Sequence, residues 1–397
     1  MKPLSEIIRP QVLALLAEQN ARPQAIQAHG ARPAAEPLRL HLAENPYGEP
    51  LNRFPDPIQW QARSVVGKVL GNLPPANVSL SAGVMAGIDT LLRLCIVPGR
   101  DNLIVSETSL PQFSRAARLV DAECRTIHLK EDLSVDLSAI PRIANANSKL
   151  LFLSSPAYPT GQVLNPQDLT QLCNSFPGLV VIDESFTAYA RCEPFIRLLP
   201  QLPNLVVLHS LSAEYALAGV PVAVLCAGSE LIAAIEAIRP TYNLNQPALE
   251  ALEKLTRRRF DADKWTKQVL EERPKLMSAI LQLPFCEKVY PTAANFFLAR
   301  FLNATAVAAY LQAQGILVDN TSSLPGLENC LCITVGSPSD NNKLVVSATH
   351  PNFLSAFPLK RDAKVGLFPD VTNFSSIIFQ KNAIYPAGRS HFGCWEG

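Results

Sequence analysis

The residue types able to do chemistry in this chain sit in a few short, dissimilar segments. Asp183 closes the apolar run LVVIDES (179–185) and Ser212 lies near the start of SLSAEYALAG (210–219). Asn45 falls in ENPYG (44–48), Tyr158 in SSPAYPTG (154–161), Tyr242 in RPTYNLNQ (239–246) and Cys332 in CLCITVG (330–336). A carboxylate can hold a proton, and hydroxyls, phenols and amides can bond a ligand. In an open parallel sheet ligands lie beyond the carboxyl ends of the strands, so the turns after apolar runs are where such groups count. Plainer readings stand beside these. Asp183 can cap a turn at a strand end, and the Ser212 hydroxyl can cap the helix that follows. The nine cysteines lack disulfide-framework spacing, and Cys330 and Cys332 are one residue apart rather than two, so they read as buried reduced thiols with no metal site. His350 and His391 lie in an unpatterned tail and read as surface residues.

The elements that must position these groups are legible in the hydrophobic pattern. Between residues 60 and 240, short apolar runs such as NLIV, KLLFLSS, LVVIDES and NLVVLHS alternate with helical segments such as GIDTLLRLCI and PQDLTQLCNSF. Apolar strands separated by helices predict an α/β fold, with a mostly parallel sheet covered on both faces. Residues 4–18 have helical spacing, followed by a Pro- and Ala-rich arm. Beyond Pro240 the pattern predicts one long charged helix over 247–283, a strand at NFFLARF, a helix at ATAVAAYLQAQG and a strand at CLCITVG, the makings of a smaller α+β domain. The division expected is therefore a helix and arm over 1–40, a large α/β domain over 41–245, a small α+β domain over 246–348 and an irregular extension over 349–397, which reads equally as a shifted reading frame.

Composition narrows the function classes. With 35 basic and 34 acidic residues the net charge is +1, which provides no field for nucleic acid or anionic lipid. The longest uncharged stretch, 215–229, is interrupted by Gly219, Pro221 and Gly228 and is short of a membrane span. The first helical pattern carries Glu6, Arg9 and Glu18, unlike an export signal, so a cytoplasmic protein is expected.

The segments above, with NRFPDP (52–57), occur in the order and at about the spacing found in histidinol-phosphate aminotransferases, and over roughly residues 5–348 the chain resembles that family. The resemblance implies a fold-type I aminotransferase: a homodimer binding pyridoxal phosphate, whose lysine forms the Schiff base and moves the substrate proton. It places Asp183 against the pyridine nitrogen, Gly83 at the phosphate-binding helix, Ser212 and Tyr158 at positions that bind the cofactor, and Asn45, Tyr242 and Cys332 at positions that bind the substrate.

The departures are as specific as the matches. Ala213 occupies the lysine position, Pro221 that of the phosphate-gripping arginine, and Val84 that of a serine after Gly83. Tyr158 replaces an asparagine that bonds the cofactor's phenolic oxygen, Leu110 a stacking aromatic ring, and Phe54 a tyrosine that reaches the partner's phosphate. Cys332 replaces the arginine that clamps the substrate carboxylate, and Asp319 stands at a second basic position. A methyl group forms no imine, and a thiol does not substitute for a bidentate guanidinium. No catalytic group is left intact, and pyridoxal phosphate, if held, is held without a covalent bond. Three readings follow: a pseudoenzyme that persists as a homodimer or pairs with an active paralogue, a transaminase of histidine biosynthesis working through other residues, or a pocket repurposed for lysine-independent chemistry or ligand binding. A decaying gene is the remaining alternative.

Overall fold

A computed structural model describes residues 3–21, 40–49 and 51–350. The Pro- and Ala-rich arm and nearly all of the expected C-terminal extension lie outside these residues. The strands are β1 (Val78–Ser81), β2 (Asn102–Ser106), β3 (Glu123–Ile127), β4 (Ser148–Ser154), β5 (Leu179–Asp183), β6 (Leu205–Ser210), β7 (Ala223–Cys226), β8 (Cys286–Val289), β9 (Phe296–Phe301), β10 (Asp319–Asn320) and β11 (Cys330–Thr334). The helices are α1 (Leu4–Ile7), α2 (Pro10–Ala21), α3 (Trp60–Gly71), α4 (Val84–Cys95), α5 (Leu110–Leu119), α6 (Ile140–Ile143), α7 (Pro166–Ser175), α8 (Leu211–Glu214), α9 (Ser229–Ile238), α10 (Gln246–Glu253), α11 (Leu255–Leu281), α12 (Ala304–Ala313) and α13 (Pro338–Ala348).

A seven-stranded sheet runs in the order β1-β7-β6-β5-β4-β2-β3, and a four-stranded sheet in the order β10-β11-β9-β8. In the large sheet only β7 runs against its neighbours; β2 to β6 pair in parallel. The small sheet is antiparallel throughout. The continuous Leu, Ile and Val of the central strands follow from burial on both faces, because successive side chains enter opposite layers. Leu151, Leu153, Val180, Ile182 and Val207 join one core. Their neighbours Leu150, Phe152, Val181, Val206 and Leu208 join the other. This is the mostly parallel, helix-covered α/β architecture that the sequence pattern predicts.

Two expected helices are broken. The pattern over 4–18 divides into α1 and α2: Ile8 is extended at φ −74° and ψ 143°, and Arg9, which as the residue before Pro10 is sterically turned away from helical geometry, lies in neither helix. The helix expected over 247–283 divides at Lys254, whose φ of −87° and ψ of 0° separate α10 from α11. Leu252 and Leu255, on either side of that break, are both fully buried in one core. The short strands β8 and β10 carry too few apolar residues to be visible in the pattern. No helix among the described residues is long and apolar enough to cross a membrane.

Candidate ligand cleft

The parallel register brings the singled-out segments to one edge. Ser154 pairs with Asp183 across β4 and β5, and Asp183 with Leu208 across β5 and β6. Ser210, at the end of β6, pairs with Ala223, which pairs in turn with Ser81 at the end of β1. Tyr158, Asp183, Ser212, Ala213, Pro221 and Gly83 therefore all stand where the large sheet's parallel strands end.

Asp183 is held by its own turn. Its Oδ1 accepts the Ser185 amide at 2.9 Å and the Ser185 hydroxyl as well, and Ser185 Oγ accepts the Ser210 amide at 3.0 Å. The turn-capping role open to this residue is thus occupied, while no hydrogen bond among the described residues reaches Oδ2. Burial pushes its carboxyl above the usual range, against the Ser185 hydrogen bonds and the charge of His209. Beside it, burial pushes Glu184 up to about 7, although its Oε1 accepts the Phe195 amide at 2.5 Å. His209 is buried, and its Nε2 lies 3.1 Å from Glu214 Oε2. Burial alone lowers an imidazole, but the Glu214 hydrogen bond and the surrounding carboxylates outweigh it and raise His209. Glu214, which burial would raise, is lowered overall by His209, Tyr215 and Arg259. The sequence signal for these buried groups is slight, a histidine in a strand followed five residues on by a glutamate, and the sequence reading does not single them out.

The helix cap differs from the expectation. Ser210, not Ser212, is the N-cap of α8, its Oγ accepting the Ser212 amide at 3.3 Å. A residue ahead of the first helical position is the one whose side chain can turn back onto that amide; Ser212 already lies inside the helix and offers its carbonyl to Leu217 at 3.1 Å. Ala213 is half-buried in this single turn, and its carbonyl accepts the Tyr189 hydroxyl at 3.3 Å.

At the neighbouring strand ends Gly83 is the N-cap of α4, with a φ of +85° that suits glycine. The amides of Val84, Met85 and Ala86 have no partner inside the helix and form a ready anion nest. The opposite wall is Pro221, whose Cβ lies 3.7 Å from where a side chain on Gly83 would begin. Proline brings neither a charge nor an amide donor.

On the small-sheet side, Cys332 and Asp319 pair across β11 and β10, and the Tyr158 hydroxyl donates to Asp319 Oδ2. The Tyr158 ring meets Phe296 edge-on at 5.0 Å, and Phe186 meets the same ring at 4.9 Å. Cys332 is buried, and burial pushes its thiol up to about 12. Three positions at which the resemblance implies two cations and an amide are here bonded or paired with one another. The 155–162 loop and the β8–β9 connection approach closely: a Cβ on Gly161 would fall 2.1 Å from Thr292 Oγ1.

Tyr242 and Asn45 stand apart from this cluster. Tyr242 stacks on Phe54 with ring centroids 4.7 Å apart, and Asn45 Oδ1 accepts the Tyr47 amide at 3.0 Å in an exposed loop. No hydrogen bond or ring contact among the described residues joins either to Asp183, Tyr158 or Cys332.

Residues 38–348 match the family model described as aminotransferase class I and II. The chain belongs to that family. It is 32% identical over 345 residues to a histidinol-phosphate aminotransferase of Bacteroides fragilis strain YCH46, covering 87% of this chain and 98% of that one. A histidinol-phosphate aminotransferase of Cytophaga hutchinsonii is 29% identical over 335 residues, with 82% and 94% covered. Among solved structures, the histidinol-phosphate aminotransferase of Sinorhizobium meliloti in complex with pyridoxal-5'-phosphate superposes with a TM-score of 0.69 at 18% identity, covering 88% of each chain, a likeness of fold.

The family's cofactor is pyridoxal phosphate, and the residues at this edge do not fit it as an imine-bound group. Ala213 carries no amine, Pro221 beside Gly83 carries no cation, and the Tyr158 hydroxyl is engaged by Asp319. Asp183 Oδ2 and the first amides of α4 remain as contacts that a free phosphate or pyridine could use.

Proposed function

We propose that this chain is a histidinol-phosphate aminotransferase-like protein that does not transaminate through a Schiff-base lysine and acts as a binding or regulatory member of the family. The carrying observation is Ala213 on the turn after β6, at the strand-end edge where the amine would be required. Three other lysines offer no replacement: Lys149 lies at the opposite end of β4, with Nζ donating to the Glu6 carbonyl at 2.6 Å, and Lys254 and Lys264 are exposed at the start of α11 and within it. We further infer a cytoplasmic protein that forms a homodimer or a heterodimer with an active paralogue. Exposed apolar side chains at Leu40, Tyr47, Leu51, Phe54 and Trp60, gathered in one stretch, support a covered face there.

The reading as an active transaminase draws on the extent of the 32% identity and on Asp183 standing at a strand end. A turnover assay separates the two. Supplied with pyridoxal phosphate, histidinol phosphate and 2-oxoglutarate, the purified chain is expected to form no glutamate above the protein-free blank; chain-dependent glutamate formation would restore the enzyme reading.

A further inference from the structure

We propose that Tyr158 and Asp319 form a latch that holds the turns after β3, β4 and β5 shut against the small sheet, with no ligand needed to close them. The latch stands apart from the function proposed above, since a chain that forms an imine and one that does not can both be latched. The joint it fastens has an apolar core drawn from both sides. Leu133, in the β3–β4 connection, is buried with Phe296, Leu298 and Cys332 of the small sheet, and Leu129 and Phe186 pack against them.

Hydrogen bonds cross the same joint. The Ala293 amide donates to the Gly161 carbonyl at 2.9 Å. Arg273 of α11 donates to the Tyr189 carbonyl, beyond β5, at 3.3 Å and to the Ala294 carbonyl, ahead of β9, at 2.8 Å. Ala293 is buried, so its amide meets water only when the two sides part. At the rim, where both residues are exposed, the Tyr158 hydroxyl donates to Asp319 Oδ2, and the Tyr158 ring meets Phe296 edge-on at 5.0 Å. A bond to a charged acceptor is stronger than one between neutral groups. Parting the two sides must break it, so this one bond raises the cost of exposing everything behind it. A ligand entering here must release the latch first, which makes the closed joint the resting state of the chain.

Hydrogen exchange of the native full-length chain and its variants, read at the Ala293 amide through overlapping peptides, tests the latch. Tyr158→Phe keeps the ring on Phe296 and removes only the donor. It is expected to speed exchange at Ala293 about tenfold, the scale of one lost hydrogen bond to a charged group, while the amides of β5 exchange at the native rate. Asp319→Ala is expected to give the same acceleration, and the double variant no more than either alone, because both remove one shared bond. Asp319→Asn, which keeps an acceptor oxygen, is expected to have the smaller effect. Native exchange at Ala293 in Tyr158→Phe, or single effects that multiply in the double variant, would overturn the latch and leave the bond a rim contact. Equal acceleration in β5 would also overturn it, because the joint would then part only when the whole chain unfolds.

Discussion

Gly161→Ala is expected to lower the unfolding free energy by about 3 kcal/mol, among the larger effects open to a single methyl group. Gly161 has a φ of +70°, where any side chain is strained, and a Cβ there falls 2.1 Å from Thr292 Oγ1 and 3.0 Å from Thr292 Cα. The threonine cannot simply swing aside: its hydroxyl donates to the Phe296 carbonyl at 2.7 Å and accepts the Ala294 amide at 3.0 Å. The Gly161 carbonyl also accepts the Ala293 amide at 2.9 Å. The substitution therefore pries the 155–162 loop from the small sheet, and with it the Tyr158–Asp319 bond. Urea denaturation of the two proteins side by side gives the difference directly; a loss below about 1 kcal/mol would mean that the loop shifts freely.

Stability is expected to fall as pH rises from about 5 to about 7.5, and Glu184→Gln is expected to remove much of that slope. Burial lifts the folded-state value of Glu184 from 4.5 to about 7. Between those values the folded chain holds a proton that the unfolded chain has released, so each step up in pH favours unfolding. His209, whose folded value is also raised, contributes in the same direction, as does Asp183. Glu214, lowered in the fold, acts with the opposite sign only at lower pH. The expected loss from Glu184 is on the order of 2 kcal/mol, because each tenfold gain in proton affinity on folding corresponds to about 1.4 kcal/mol. Urea midpoints measured across that range test it, and a midpoint that climbs with pH would reverse the assignment.

The centre of the large sheet was legible because β2, β4, β5 and β6 are built on runs of Leu, Ile and Val, a signature that burial on both faces imposes. The positions of Asp183, Ser212 and Ala213 followed, since strand ends fix where turns lie. Local geometry was less accessible. Nothing in SLSAEYALAG distinguishes Ser210 from Ser212 as the cap, because both are serines and the helix is a single turn. The bend at Lys254 was hidden by the continuous charged pattern on either side. Least visible was the Tyr158–Asp319–Cys332 cluster, formed by residues up to 174 positions apart in sequence (158 to 332). Read singly, each was a missing family contact; only the register of β10 on β11 shows that the replacements meet one another.

Ala213 carries the central claim, and the most direct measurement is a titration of the native chain with pyridoxal phosphate, followed by absorbance from about 330 to 430 nm, borohydride reduction and peptide mass analysis. The predicted result is no saturable imine band and no single lysine labelled at one cofactor per chain. A stoichiometric, reducible adduct on one lysine would contradict the account and return the chain to the working transaminases.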